Sequence, residues 1–435
     1  MSFNRHWGEE CGVVGIAAID GASELASLAL HALQHRGQES AGITASDGHQ
    51  LRTFKKMGLV ADIFDEKTTK ELVGNYAIGH VRYSTSGSSH ILNAQPLQVA
   101  SHRGNMSLAH NGNLVNAPEL RREMEADGSI FSTTSDSEVI LHLLACSRAI
   151  AVEDALQEIL PRVKGAYSLL IMTRDRLIAV RDPHGFRPLC LGRYKDSYVI
   201  ASESCAFDII GASYLRDIEP GEMVILGDGE LTSRHLGSED KEQCCVFEHV
   251  YFSRPDSRIF GTSVEAVRRR SGEILGREAP AEADLVCAVP DSSNTAALGY
   301  AQRTGIPFEL ALIRNHYVGR TFISPAQKVR DMSVRIKFNP VREVVEGKRV
   351  VMIDDSIVRG TTMRKLVKLM RQAGAKEVHL RIASPPVTNP CFYGIDTPVR
   401  NELIASSHTV EEIATYLRVD SLHYLSLDGL MEAAG

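Results

Sequence analysis

The chain has 435 residues, 43% of them apolar and 23% charged, with a formal net charge of -6. That length exceeds what one compact core accommodates and predicts two or more domains. The balanced, slightly acidic charge argues against a nucleic-acid or membrane partner. No apolar run reaches the ~20 residues a membrane span needs, and the start MSFNRHWGEE lacks the apolar core of a secretion signal. A cytoplasmic location is therefore expected.

GVVGIAAI (12–19) reads as a buried strand, and SELASLALHALQHRG (23–37) as a helix stopped by Gly37. NYAIGHVRYST (75–85) and NMSLAHNGNLVN (105–116) read as a strand and a strand-turn, and DSEVILHLLACSRAI (136–150) as a helix. Short strands follow at 165–173, 175–182, 188–194 and 197–204. Many short strands bracketed by a few helices predict an α+β sandwich over 11–235. Residues 236–249 read as a linker. From about 250 the pattern changes to helices alternating with the apolar strands ADLVCAVP (283–290), PFELALI (307–313), KRVVMIDD (348–355) and EVHLRIASP (377–385). That alternation predicts a parallel sheet with helices on both faces, over 250–435.

The eight cysteines lack the spacing of a disulfide scaffold. Cys146, Cys190, Cys205 and Cys287 lie in apolar surroundings and read as core residues. Cys11, Cys245 and Cys391 call for separate treatment.

VVMIDDSIVRGTT (350–362) is the most informative stretch. An apolar strand ends in two acids, Asp354 and Asp355, and turns through Ser356, Arg359, Gly360, Thr361 and Thr362 into a helix. Adjacent acids at a strand end are often only a solvated turn. The following glycine and hydroxyls at a helix N-terminus add a phosphate cradle. AVPDSSNTAALGYA (288–301) is a second strand-turn-helix, with Asp291, Ser292 and Ser293 at the positive end of the helix. A simple N-cap would need only one of the three. RNHYVGRTFISPAQKVR (314–330) is basic, and by itself reads as a solvated loop.

In the first half, Cys11 opens a strand. An isolated apolar cysteine there would be structural, but LQHRGQESAG (33–42), GHVRYSTSG (79–87), AHNGNL (109–114) and TTSDSE (133–138) each set polar residues at the end of an apolar run.

IDDSIVRGTT resembles the motif with which type I phosphoribosyltransferases bind phosphoribosyl pyrophosphate (PRPP). The first-half motifs, in this order, resemble the class II glutamine amidotransferase domain. Together, from Cys11 to about Gly429, they resemble the amidophosphoribosyltransferase family. The resemblance implies a four-layer αββα N-terminal-nucleophile (Ntn hydrolase) domain, then an α/β phosphoribosyltransferase domain. It implies glutamine and PRPP as substrates, phosphoribosylamine, glutamate and pyrophosphate as products, and ammonia passing between the half-sites by a closed internal channel. Cys11 would be the nucleophile with its own α-amine as base, so residues 1–10 are expected to be a removable propeptide. Asn111 and Gly112 would form the oxyanion hole, and Arg82 and Asp136 would hold the glutamine α-carboxylate and α-ammonium. Arg36 would order the nucleophile's surroundings, while His110 reads as structural. PRPP would meet Asp354, Asp355, Ser356, Arg359, Gly360, Thr361, Thr362 and Ser293. Lys328, with Arg314 and Arg320, would meet it from a closing loop. Mg2+ would sit at Ser292, Asp354 and Asp355.

One branch of the family holds a [4Fe–4S] cluster, and Cys245 and Cys391 match two of its four ligands. The C-x-x-C pair that supplies the other two has no counterpart before Gly435, leaving truncation or absence of the cluster open. Purine nucleotides as feedback inhibitors and a homotetramer or homodimer also follow from the resemblance. A different glutamine-dependent synthase would not need IDDSIVRGTT. A PRPP-sensing regulator would not need Cys11, Arg82, Asn111 and Asp136 together.

Overall fold

The structure, a computed structural model, describes residues 11–83, 90–227, 229–237, 242–316, 336–395 and 399–435. The propeptide expected at 1–10, and Arg320 and Lys328 of the expected loop, lie outside the described residues. By contacts the chain forms two compact units. One comprises Met1–Glu248, Ser257–Gly261 and Cys391–Thr397, and the other His249–Asp256, Thr262–Pro390 and Pro398–Gly435.

Thirteen strands build the two sheets of the first unit: β1 (Gly12–Ile16), β2 (Ser40–Ser46), β3 (Leu51–Met57), β4 (Tyr76–Arg82), β5 (Leu97–Ser101), β6 (Gly104–Leu114), β7 (Gly165–Met172), β8 (Arg176–Arg181), β9 (Cys190–Tyr194), β10 (Ser197–Ala201), β11 (Ser213–Asp217), β12 (Glu222–Gly227) and β13 (Glu230–His235). They make a seven-stranded sheet, β11-β9-β10-β1-β4-β2-β3, and a six-stranded sheet, β13-β12-β8-β7-β6-β5. Strand β1 shows why both faces are covered. All five residues are buried. Val13 joins a core shared with Ala109, Leu170 and Val224 of the other sheet. Val14 and Ile16 point the opposite way, against Ala26 and Leu30 of the helix Ala22–Ala32. On the outer face of the six-stranded sheet, Leu108, Leu169 and Ile178 pack with Val139, Ile140 and Leu156 of helical segments. The result is the four-layer αββα arrangement.

Three local readings change. The expected turn within 105–116 is a strand, because β6 runs unbroken to Leu114 along β7. Glycine makes this possible at position 112. Its φ is 144, and a Cβ there would lie 2.0 Å from the Ala166 carbonyl oxygen. The helix expected to run to Gly37 ends at Ala32 and gives way to a 3-10 turn at Gln34–Arg36. Cys146 is exposed at the end of its helix, whereas Cys190, Cys205 and Cys287 are buried as expected.

The second unit has a parallel sheet of Leu285–Ala288, Arg349–Asp354, Glu377–Ile382 and Ser421–Tyr424, in that order. Its core includes Val350, Met352, Leu366, Val367, Leu380 and Ile413. PFELALI is not a full strand of this sheet. It makes one bridge, Phe308 to Val286, before Leu312–Arg314 pairs separately with Phe338–Pro340.

Candidate functional site

Each unit gathers one cluster of chemistry-bearing residues. In the first unit, antiparallel pairing of β1 with β4 sets Gly12 opposite Val81 and so brings Cys11 near the end of β4. The Cys11 thiol is buried and lies 3.6 Å from the Tyr83 carbonyl oxygen. Arg82, also buried, ends β4 with its guanidinium 3.9 Å from Glu39.

Arg36 supports Cys11 from behind. Its Nε donates to the Cys11 carbonyl at 3.1 Å. Its other nitrogens donate to Glu203 at 2.5 Å and to both Glu248 oxygens at 2.9 and 2.7 Å. Glu203 also accepts from His35 at 2.8 Å and Ser257 at 2.7 Å. Burial pushes the Glu203 carboxyl up, but His35 and Arg36 outweigh it and hold the group at about 2. Charges buried this deeply persist only when paired and hydrogen-bonded, as these are.

Strand β6 supplies Asn111 and Gly112. His80 on β4 donates Nε2–H to the His110 carbonyl at 3.0 Å, joining the strand next to Cys11 to the strand that carries Asn111. Burial pushes His80 down to about 3, so it remains neutral. The His110 N–H donates to Gln95 at 2.7 Å, and its ring contacts Ser137 at 2.9 Å. Asp136 accepts the Leu114 N–H at 2.9 Å and faces the His110 ring at 3.9 Å. Asn111 is 1% exposed, yet neither its amide nitrogen nor its oxygen has a hydrogen-bond partner among the described residues. A buried amide without a protein partner is costly unless a ligand completes it.

In the second unit the cluster lies at the carboxyl ends of two adjacent parallel strands, where open α/β sheets bind ligands. Asp354 ends the strand Arg349–Asp354. Ser293 is the N-cap of the helix Asn294–Thr304, but its hydroxyl does not cap that helix. It donates to Asp354 at 3.0 Å instead, while Ser292 donates to the other acid, Asp355. Ser356 donates to Asp355 at 2.6 Å. Burial, and then repulsion from Asp355, push the Asp354 carboxyl well up. Burial also pushes Asp355 up, against hydrogen bonds from Ser292 and Ser356 and the Arg268 charge.

The helix Thr361–Gln372 starts from Gly360, whose φ is 71, and no side chain caps it. Thr361 and Thr362 are thus its first two residues rather than caps. Two basic candidates are already paired: Arg359 with Glu402, and Arg314 with Asp291 of the serine loop at 2.9 Å. A cleft of about 190 Å³ lined by Asp291, Asn294, Phe308, Arg314 and His316 opens beside the serine loop.

The chemistry of Asp354 and Asp355 fits a hard divalent cation: two buried carboxylates side by side favour positive charge. The expected cluster is different. Cys245 donates its backbone N–H to Phe186 at 3.2 Å, and the Cys391 sulfur accepts the Tyr393 N–H at 3.3 Å. Among the described residues no three His, Cys, Asp or Glu side chains converge on a metal position. The described thiols therefore do not form the four-ligand set a [4Fe–4S] cluster requires.

Sequence reasoning missed Glu203, Glu248 and Arg268, and singled out GHVRYSTSG (79–87) without naming His80. The one local signal was a charge within an otherwise apolar run, as in VIASESCAF (199–207).

The comparisons with known proteins match a domain family in each half of the chain. A glutamine amidotransferase domain matches residues 80–208, and a phosphoribosyl transferase domain matches 261–383. The amidophosphoribosyltransferase of Bacillus subtilis is 51% identical over 98% of this chain and 90% of its own length. The Archaeoglobus fulgidus amidophosphoribosyltransferase is 52% identical over 97% of this chain and 93% of its own length. A solved glutamine PRPP amidotransferase from B. subtilis, complexed with ADP and GMP, superposes with a TM-score of 0.93 at 51% identity, covering 98% of this chain and 93% of that one. A structure described as the allosteric regulatory enzyme of purine biosynthesis gives a TM-score of 0.94, also at 51% identity, over 98% of this chain and 92% of that one. This chain belongs to the amidophosphoribosyltransferase family.

Proposed function

We propose that the protein converts glutamine, PRPP and water to 5-phosphoribosylamine, glutamate and pyrophosphate, opening purine nucleotide synthesis. The observation that carries the glutamine half is Asn111: a buried amide with no partner among the described residues, on a strand that His80 ties to the strand beside Cys11.

In this reading the Cys11 thiolate attacks the glutamine carboxamide carbon. Ammonia leaves, and water hydrolyses the thioester to glutamate. The Cys11 α-amine, exposed by removal of residues 1–10, takes and returns the proton. The Asn111 amide and the Gly112 N–H stabilise the oxyanion. Arg82 and Asp136 select a free amino acid by its two charges. Arg36 orients Cys11 through its carbonyl.

In the second half-site the ammonia attacks C1 of the ribose and pyrophosphate departs. Asp354 and Asp355, oriented by Ser293, Ser292 and Ser356, would hold Mg2+, which supplies charge neutralisation to the pyrophosphate when bound. Gly360, Thr361 and Thr362 would bind the 5-phosphate at the uncapped helix start. Arg359 and Lys328 would contact PRPP once it is bound, Arg359 by leaving Glu402. No step is assigned to an iron–sulfur cluster.

Residues 11–235 are proposed as the glutaminase domain and 250–435 as the phosphoribosyltransferase domain. The B. subtilis relative solved with ADP and GMP supports purine nucleotides as inhibitors of this protein too. A homotetramer or homodimer in the cytoplasm is the proposed working form. No described helix is long and apolar enough to cross a membrane.

The test measures PRPP-dependent glutamate release. Cys11→Ala is expected to abolish it while leaving synthesis from ammonium salts. Glutamate release that persists in Cys11→Ala would contradict the reading.

A further inference from the structure

Residues 391–395, CFYGI, follow the third strand of the parallel sheet by only nine residues, yet they belong to the compact unit that holds the glutaminase cluster. Their backbone is closely engaged there. The Phe392 carbonyl accepts from Asn113 Nδ2 at 2.8 Å. The Tyr393 carbonyl accepts from Arg187 Nη2 at 2.6 Å and Nε at 3.1 Å. The Tyr393 ring stacks on Phe186, with centroids 4.4 Å apart and planes 19° apart. Gly394 has a φ of 112, and a Cβ there would lie 3.2 Å from the Gly112 carbonyl carbon, 3.3 Å from its Cα and 3.1 Å from Arg187 Nη2. The two glycines therefore meet backbone against backbone.

Arg187 carries the contact further. It is 1% exposed, and its Nη1 donates to Glu248 at 3.3 Å. Glu248 holds Arg36, and Arg36 holds the Cys11 carbonyl. One short stretch thus touches the oxyanion glycine directly and reaches the nucleophile's backbone through three buried charged side chains. Strand β6 has reason to need such support: its pairing with β5 ends at Leu108, so Asn111–Asn113 are held in the sheet by β7 alone.

We propose that Phe392, Tyr393 and Gly394, together with Arg187 and Asn113, are positioning residues of the glutaminase site, fixing Gly112 relative to Cys11. The inference rests on the roles given above to Cys11 and Gly112. An oxyanion donor acts only within a few tenths of an ångström of its target position. A group that sets Gly112 therefore governs turnover more than glutamine affinity, which falls to Arg82 and Asp136.

The experiment uses the purified full-length enzyme and compares Gly394→Ala, Asn113→Ala and Cys11→Ala. Glutamine hydrolysis gives kcat and KM, and synthesis from PRPP and ammonium chloride reports the other half-site. Gly394→Ala is expected to lower glutaminase kcat about 10- to 100-fold, with glutamine KM changed less than about threefold. Asn113→Ala, which removes one bond without a clash, is expected to lower kcat about 3- to 10-fold. Ammonia-driven synthesis should stay within about twofold in both. If Gly394→Ala does not fold, Asn113→Ala carries the test alone. Unchanged kcat, or equal losses with both nitrogen sources, would overturn the proposal. Hydrolysis that survives Cys11→Ala would instead overturn the assignment of the nucleophile. Hydrolysis abolished by Cys11→Ala but untouched by the other two would sink this inference alone.

Discussion

The two clusters handle buried charge in opposite ways. Behind Cys11, the charges of Arg36 and Arg187 meet those of Glu203 and Glu248, with His35 and Ser257 completing the hydrogen bonds. At the end of the parallel strand, Asp354 and Asp355 stand side by side and receive mainly hydroxyl donors. The first network is a finished scaffold whose purpose is to hold backbone atoms still. The second is under electrostatic tension, which a bound cation would relieve. A site that must aim a nucleophile benefits from the former, and a site that must bind a metal-chelated pyrophosphate benefits from the latter.

The largest break in this comparison should come from Asp354→Asn combined with Asp355→Asn. Synthesis from both glutamine and ammonia is expected to fall about a thousandfold, roughly 4 kcal/mol of transition-state stabilisation, with PRPP turnover as the readout. Substitution of Asn111 by Ala acts on the other cluster alone. Glutaminase kcat should drop about 100- to 1,000-fold while ammonia-driven synthesis continues. Glu248→Gln keeps the shape of the side chain but removes the charge between Arg36 and Arg187. It is expected to destabilise the first unit by about 3 kcal/mol, seen as a lower thermal midpoint.

The smallest effect is in pH dependence, where the two clusters should differ in sign. Glu203 is held at about 2, against an ordinary 4.5. Its contribution is present above 4.5 and disappears as pH falls toward 2. His80 is held at about 3, against an ordinary 6.5. The unfolded chain binds that proton first, so stability also declines as pH falls from 6.5 toward 3. Asp354 and Asp355 are raised from 3.8. Their ionisation costs stability at high pH, and acid removes that cost. Hydrogen exchange between pH 7 and 4 should therefore show β1 and β4 losing protection, with no such loss at Arg349–Asp354. Added Mg2+ should protect that strand more as rising pH ionises the two carboxyls. Equal responses in both units would erase the distinction.

Much of this was legible in the sequence where the chemistry is local. IDDSIVRGTT and PDSSN (290–294) each place an apolar strand, a polar turn and a helix start within a dozen residues, and the structure brings their acids and hydroxyls together. The successive strands of 165–204 were legible because short apolar runs are separated by turn residues; Gly165–Met172 and Arg176–Arg181 are buried almost throughout. What escaped depends on partners distant in the chain. Glu248 pairs with Arg36 across 212 positions, and Phe392 meets Asn113 across 279. No periodicity in a window of a dozen residues carries such information. PFELALI misled for a related reason: its composition suits a strand, but only Phe308 finds a partner in the parallel sheet. In AHNGNL the asparagines and glycine signal a turn, yet Gly112 supports an extended strand that packs against the Ala166 carbonyl.

Cys11 as the nucleophile is the claim on which both the glutaminase chemistry and the role of its supporting network depend. The direct measurement is peptide mass spectrometry after treating the enzyme with a diazoketone analogue of glutamine. The account predicts one covalent adduct, on Cys11, with glutamine-driven synthesis lost and ammonia-driven synthesis retained. An adduct on another cysteine, or full inactivation with Cys11 unmodified, would contradict it.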